Sequence, residues 1–260
     1  MKFNNFMLCL MTCVLGAINS FAQGPPILLD KPIMLGEKKG TIRPVFKRAD
    51  NKKHDFNAFV LDADYNFTNN LATMIEVPLT FGAHNTTAGL GDVALGLKYQ
   101  FYRKDGMGKT TRIAAKVKNM FATGKKLETM MLGMGHNMTY IGILAAKESL
   151  KLGIQSEIGY NFVPSATHLS NIDYKIGFGI PLLEPVYPVK QVNIYIELEG
   201  MNMRKHTGKA QYGYYVAPGL QYAKGLHTFE LSYQFAIKQQ LHVETLERRS
   251  SLHVGVRRII

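Results

Sequence analysis

The stretch Leu150-Lys151-Leu152-Gly153-Ile154-Gln155-Ser156-Glu157-Ile158-Gly159-Tyr160-Asn161-Phe162 decides the fold. Its even positions are Leu150, Leu152, Ile154, Ser156, Ile158, Tyr160 and Phe162; its odd positions are Lys151, Gly153, Gln155, Glu157, Gly159 and Asn161. A helix mixes these two sets on one face, whereas a strand sends them to opposite faces. Asp92–Phe101 repeats the pattern, with Val93, Leu95, Leu97, Tyr99 and Phe101 set against Asp92, Ala94, Gly96, Lys98 and Gln100. So does Asn171–Ile180, with Ile172, Tyr174, Ile176, Phe178 and Ile180 on the apolar face.

Extended along the chain, the same period predicts about twelve strands. They fall near 40–48, 55–67, 71–81, 91–102, 110–121, 137–147, 150–163, 171–181, 192–202, 211–222, 226–238 and 250–260. Tilted strands of about ten residues have the length that crosses a bilayer. Their connections alternate. Thr68-Asn69-Asn70, Arg103–Gly108, Glu148-Ser149 and Ala223-Lys224-Gly225 read as tight turns, and 82–90, 122–136, 164–170, 203–210 and 239–249 as longer loops. The Pro-rich connection Pro181–Gln191 breaks this rule.

Composition agrees. Hydrophobic residues are 46% and charged residues 19%, too apolar for disorder. Beyond the first residues no apolar run reaches the length of a helical span. Lys2, the apolar core Phe6–Ile18 and the small residues Ser20 and Ala22 read as a secretory signal cleaved after Ala22. Cys9 and Cys13 both lie within it, so the exported chain carries no disulfide framework.

A soluble barrel shows the same alternation inside out, so other features choose between them. The apolar faces end in aromatics: Tyr65 and Phe67, Tyr99 and Phe101, Tyr160 and Phe162, Tyr212 and Tyr214, Phe229 with Tyr233 and Phe235. These fit interfacial girdles. The opposite faces mix charges with Gly and Ala, and Ser250–Ile260 is placed to close the sheet against the first strand. The expected fold is all-β: a closed antiparallel transmembrane β-barrel of about twelve strands. Residues 1–22 form the signal peptide, 23–39 a periplasmic N-terminal segment and 40–260 the barrel, in the cell outer membrane of a Gram-negative bacterium.

The run Gly89-Leu90-Gly91-Asp92-Val93-Ala94-Leu95-Gly96-Leu97-Lys98-Tyr99-Gln100-Phe101, with Ile158-Gly159-Tyr160-Asn161, resembles a bacterial family of outer-membrane β-barrels. That family is grouped as phenol meta-degradation pathway proteins and often simply called "transporter". The resemblance implies a barrel carrying small molecules, aromatic or hydrophobic ones included.

Inward parity marks the ionisable residues expected to line the lumen. These are Arg43, Lys47, Asp62, Asp64, Glu76, Asp92, Lys98, Arg112, Lys116, Lys118, Lys151, Glu157, Asp173, Lys175, Glu197, Glu199 and Glu230. Both signs are present, so neither strong anion nor strong cation selectivity follows. They read equally as a polar passage or as an internal network that rivets the barrel, because twelve strands lie between filled and open barrels. Lys175 is expected opposite Glu197, with Glu157 diagonally near it.

The expected function is a passive channel or transporter for small molecules. The alternative is a structural or adhesive barrel with a plugged lumen. No enzyme is expected: Ser251 and His253 share a face of the last strand, but nucleophile, base and orienting group must converge and no third member is evident. No cofactor and no metal is expected. A minor copper reading rests on Met131, Met134, His136, Met201, Met203 and His206, since thioethers and imidazoles suit Cu(I); Met also fills irregular loop packing. Lys125, Lys126, Arg204, Lys205, Lys209, Arg248 and Arg249 make the outer loops basic. Expected partners are therefore membrane lipid with lipopolysaccharide phosphates, and the barrel-assembly machinery during biogenesis. The net charge of +12 comes without a nucleic-acid motif, so no nucleic acid is expected.

Overall fold

The computed structural model describes residues 26–52, 55–82, 88–124, 135–164, 170–183, 190–206, 209–241 and 247–260. The expected signal peptide, 1–22, lies outside them. Twelve long strands form: β1 Gly40–Asn51, β2 Phe56–Asn66, β3 Leu71–Gly82, β5 Ala94–Gly106, β6 Lys109–Met120, β7 Met138–Ser149, β8 Gly153–Phe162, β9 Asn171–Pro181, β10 Lys190–His206, β11 Lys209–Lys224, β12 His227–Gln240 and β13 Arg248–Ile259. A short β4, Ala88–Leu90, pairs with the end of β3. All neighbours are antiparallel, and β1 pairs with both β2 and β13 while β2 pairs with β3, so the sheet closes.

Parity sets the two faces. Leu97, Ile158 and Ile237 are 55%, 56% and 61% exposed on the outside, while Asn193, Gln221 and Glu197 are 0%, 0% and 2% exposed inside. Leu95, Ile154 and Ile172 are exposed, and Val93 and Ile176 half-buried. A soluble barrel would invert this order, because burying amides and carboxylates beneath a shell of Leu and Ile is unfavourable in water. Aromatics ring the apolar belt: Tyr65 and Phe67 meet edge to face near the turn end, and Tyr212 stacks with Tyr214 near the loop end.

Turn chemistry fixes one end. Gly108 and Gly225 carry φ of 64° and 59° in two-residue turns, a conformation that L side chains resist. Inside the wall, the Tyr140 ring lies flat against Gly142 and Gly159, where any Cβ would strike it.

Some boundaries differ from the sequence reading. The strand expected over 150–163 begins at Gly153, because Ser149–Leu152 closes as a turn through Ser149 N to Leu152 O at 3.0 Å. The loop expected at 203–210 is a hairpin, with β10 and β11 running on to His206 and Lys209.

Candidate functional site: the barrel interior and its N-terminal segment

The segment before β1 is not a free periplasmic tail. Hydrogen bonds from Lys38 N to Asn66 O and from Asn66 Nδ2 to Gly36 O strap it to the β2–β3 turn. From there it runs into the barrel, where Ile27 and Leu29 are buried. Ile27, Leu28 and Leu29 donate three consecutive backbone N–H groups to the Glu197 carboxylate at 2.8–3.2 Å. Arg43 donates to Ile27 O at 2.6 Å and Arg257 to Pro26 O at 3.3 Å. The prolines at 26 and 32 suit this path, since a buried segment without strand partners must satisfy each backbone N–H some other way and proline carries none. Gly177 and Gly219 make room: Leu29 packs over the first, and a Cβ on the second would come within 2.6 Å of Ile27.

Asp30 carries charge into the middle. Its carboxylate binds Lys98 Nζ at 2.6 Å and lies 3.5 Å from Lys116 Nζ. Burial alone would raise the Asp30 carboxyl, but these two ammoniums outweigh it and hold it well below the ordinary carboxylate range. Burial, with the Arg257 guanidinium nearby, lowers Lys31 to about 8.

Among the described residues, two cavities lie along the lumen. One of about 280 Å³ lies beside the segment, and Arg43, Lys47, Asp62, Asp64, Glu76, Lys98, Lys116, Lys118, Glu157 and Lys175 all line it. One of about 510 Å³ lies toward the loops, lined by Lys116, Lys118, Glu157, Asp173, Lys175 and Glu199 among others. Lys116, Lys118, Glu157 and Lys175 border both cavities and so form the charged waist between them. Most of these charges are paired: Lys116 with Glu157, Lys118 with Glu76 at 3.0 Å, and Arg43 with Glu230 at 2.6 Å. Tyr140 Oη donates to Glu157 at 2.7 Å.

The remaining expected positions fall elsewhere. Glu197 is buried against the N-terminal segment, and Glu230 against Arg43 of β1 and Arg257 of β13, rather than facing open space. Arg112 is buried but holds Asp105 near the turn end. Asp92 precedes β5 and accepts from Gly124 N at 2.8 Å, tying down a connection at the loop end. Lys151 is exposed in the β7–β8 turn and lines no lumen, because the strand starts two residues later. The expected register is also corrected: Lys175 stands opposite Glu199, not Glu197, and directly opposite Glu157.

Sequence reasoning missed Asp30, Lys31, His253 and Arg257, all lining the smaller cavity. The last two share the inward parity of Ser251 and were legible on that ground. Ser251 Oγ lies 2.9 Å from His253 Nε2, but among the described residues His253 Nδ1 has no hydrogen-bond partner to orient the ring as a catalytic base requires. Of the copper candidates, Met131, Met134 and the His206 side chain lie outside the described residues. His136 is exposed, while Met201 and Met203 line the larger cavity with Met138. Among the described residues no group of three His, Cys, Asp or Glu side chains could hold a metal ion.

An inverted, closed, twelve-strand antiparallel barrel with a polar interior is the fold of outer-membrane channels. An outer membrane channel from Pseudomonas putida F1 is similar at a TM-score of 0.59 and 12% identity, over 92% of this chain and 100% of that one. The NanC porin is similar at a TM-score of 0.54 and 11% identity, over 84% and 98%. No protein-family model matches the chain, and no curated protein matches its sequence.

Proposed function

We propose that the chain is an outer-membrane protein acting as a passive channel for small molecules, with its own N-terminal segment narrowing the passage. The observation that carries this reading is the pair of cavities meeting at the charged waist inside a wall whose outer face suits only lipid. Selection would act at Lys116, Lys118, Glu157 and Lys175, since a solute crossing from one cavity to the other passes them. The fold of the similar channels supports the reading. Arg249, exposed at the loop end, supplies a cation for lipopolysaccharide phosphates, and barrel-assembly machinery would insert the chain. Small aromatic or hydrophobic solutes are the cargo class that the family resemblance suggests.

A second reading, a structural barrel with a plugged lumen, draws on the depth at which Ile27–Asp30 is held. Planar-bilayer recordings separate the two. The mature chain should conduct weakly, and deletion of residues 23–32 should raise the conductance severalfold. Silence from both proteins would leave the structural barrel standing.

A further inference from the structure

The loop-side cavity holds two cations that the described residues pair only loosely. Lys175 Nζ and Arg248 Nη2 each stand 3.9 Å from the Glu199 carboxylate. Hydrogen bonds close at about 2.7–3.2 Å, so both cations feel this carboxylate without bonding to it. Glu199 takes its hydrogen bond from Gln234 Nε2 at 2.7 Å instead. Among the described residues Arg248 Nε is buried with no hydrogen-bond partner, and the guanidinium lies 4.6 Å over the Tyr215 ring. An orphaned buried donor is costly, and a carboxylate placed beside it would remove that cost.

The other carboxylates around this cavity are engaged. Asp173 accepts from Asn161 and Asn171, and Glu157 is held by Lys116 and Tyr140. The rest of the lining includes Met138, Met201, Met203 and Phe56. Thioethers and an aromatic ring adapt to varied apolar shapes. A concave space of about 510 Å³ with an adaptable apolar side and two under-used cations meets the general description of a small-molecule site.

We propose that this vestibule binds organic monoanions, with the carboxylate between Lys175 and Arg248 and the apolar body against Met138, Met201, Met203 and Phe56. The inference deepens the channel reading by naming a solute class, and it rests on that reading for passage but not for binding.

The test titrates benzoate into the refolded barrel in micelles by calorimetry, beside benzyl alcohol and benzylamine as neutral and cationic isosteres. Benzoate should bind at least ~10-fold more tightly than either, the weight of a charge-assisted pair. Arg248→Gln and Lys175→Met should each weaken benzoate ~10-fold or more. Glu199→Gln removes the competing carboxylate and should tighten benzoate severalfold, a gain that misfolding does not produce. Absence of benzoate binding, equal binding of the three compounds, or unchanged affinity in Arg248→Gln and Glu199→Gln overturns the proposal. Conductance of the same preparation is read separately. Conductance without benzoate affinity removes only the anion site, and benzoate binding without conductance removes only the channel.

Discussion

Glu197→Gln should release the N-terminal segment. The carboxylate accepts four N–H···O contacts from Ile27, Leu28 and Leu29 at 2.8–3.2 Å. Glutamine offers one acceptor oxygen and turns an amide donor toward the remaining N–H groups. At least one backbone donor is then left buried and unmet, at about 1–3 kcal/mol, and the surviving bonds lose their charge assistance, about another 1 kcal/mol. Against this, docking no longer dehydrates a carboxylate, which offsets part of the loss. A net weakening of about 2 kcal/mol corresponds to roughly 30-fold in the docking equilibrium. The expected mature chain has no cysteine, so Leu28→Cys provides a lone thiol at the docked position. Its labelling by a water-soluble maleimide should accelerate by about that factor in the Glu197→Gln background, with heat-modifiable gel migration confirming an intact barrel. Equal labelling rates in the two backgrounds would show that Glu197 does not hold the segment.

Gly219→Val should also eject the segment, because its Cβ would come within 2.6 Å of Ile27 Cδ1; adding Ile27→Ala should restore slow labelling of Leu28→Cys. The Asp30 carboxyl is held below the ordinary carboxylate range when docked, so its contribution to docking is complete above that range, about pH 4, begins to fall below it and is gone only once pH drops past the docked carboxyl's own, lower pKa. Conductance should therefore rise between pH 7 and pH 3, and Asp30→Asn should reduce that rise. Gly159→Val drives a side chain into the Tyr140 ring and should lower the barrel's melting temperature, with partial recovery in a Tyr140→Leu background.

The barrel was legible because parity sorts each strand into an apolar and a polar face, as Gly153–Phe162 and Asn171–Ile180 display, and the aromatic ends of the apolar faces told a lipid-facing exterior from a core. Register was not. Nothing in the long connection after Pro181 counts residues, so Lys175 could slide by two along β10 from Glu197 to Glu199 without changing face. Lys151 shows the converse limit: it has inward parity but sits in a turn, where parity has no meaning. The N-terminal segment has no period at all, so nothing in 23–39 marked it as more than a periplasmic segment ahead of the barrel. The signal for it lay in two places far apart in sequence. One is the pair of apolar triplets, Ile27–Leu29 and Ile33–Leu35, in a segment ahead of the first strand, and the other is the inward glycines at 177 and 219, which leave space that a self-contained wall would have filled.

Arg43 belongs to β1 and Arg257 to β13, the first and last long strands, and the two meet where the sheet closes. Arg43 donates to the carbonyl oxygen of Ile27 and Arg257 to that of Pro26, and both pair with Glu230 of β12. The N-terminal segment is thus a clasp across the closing seam as well as an occupant of the lumen. During assembly these four partners come together only when the chain's two ends have met, so closing the cylinder and seating its contents become one cooperative event, and a barrel that shuts without its clasp forfeits the bonds that would have kept the seam shut.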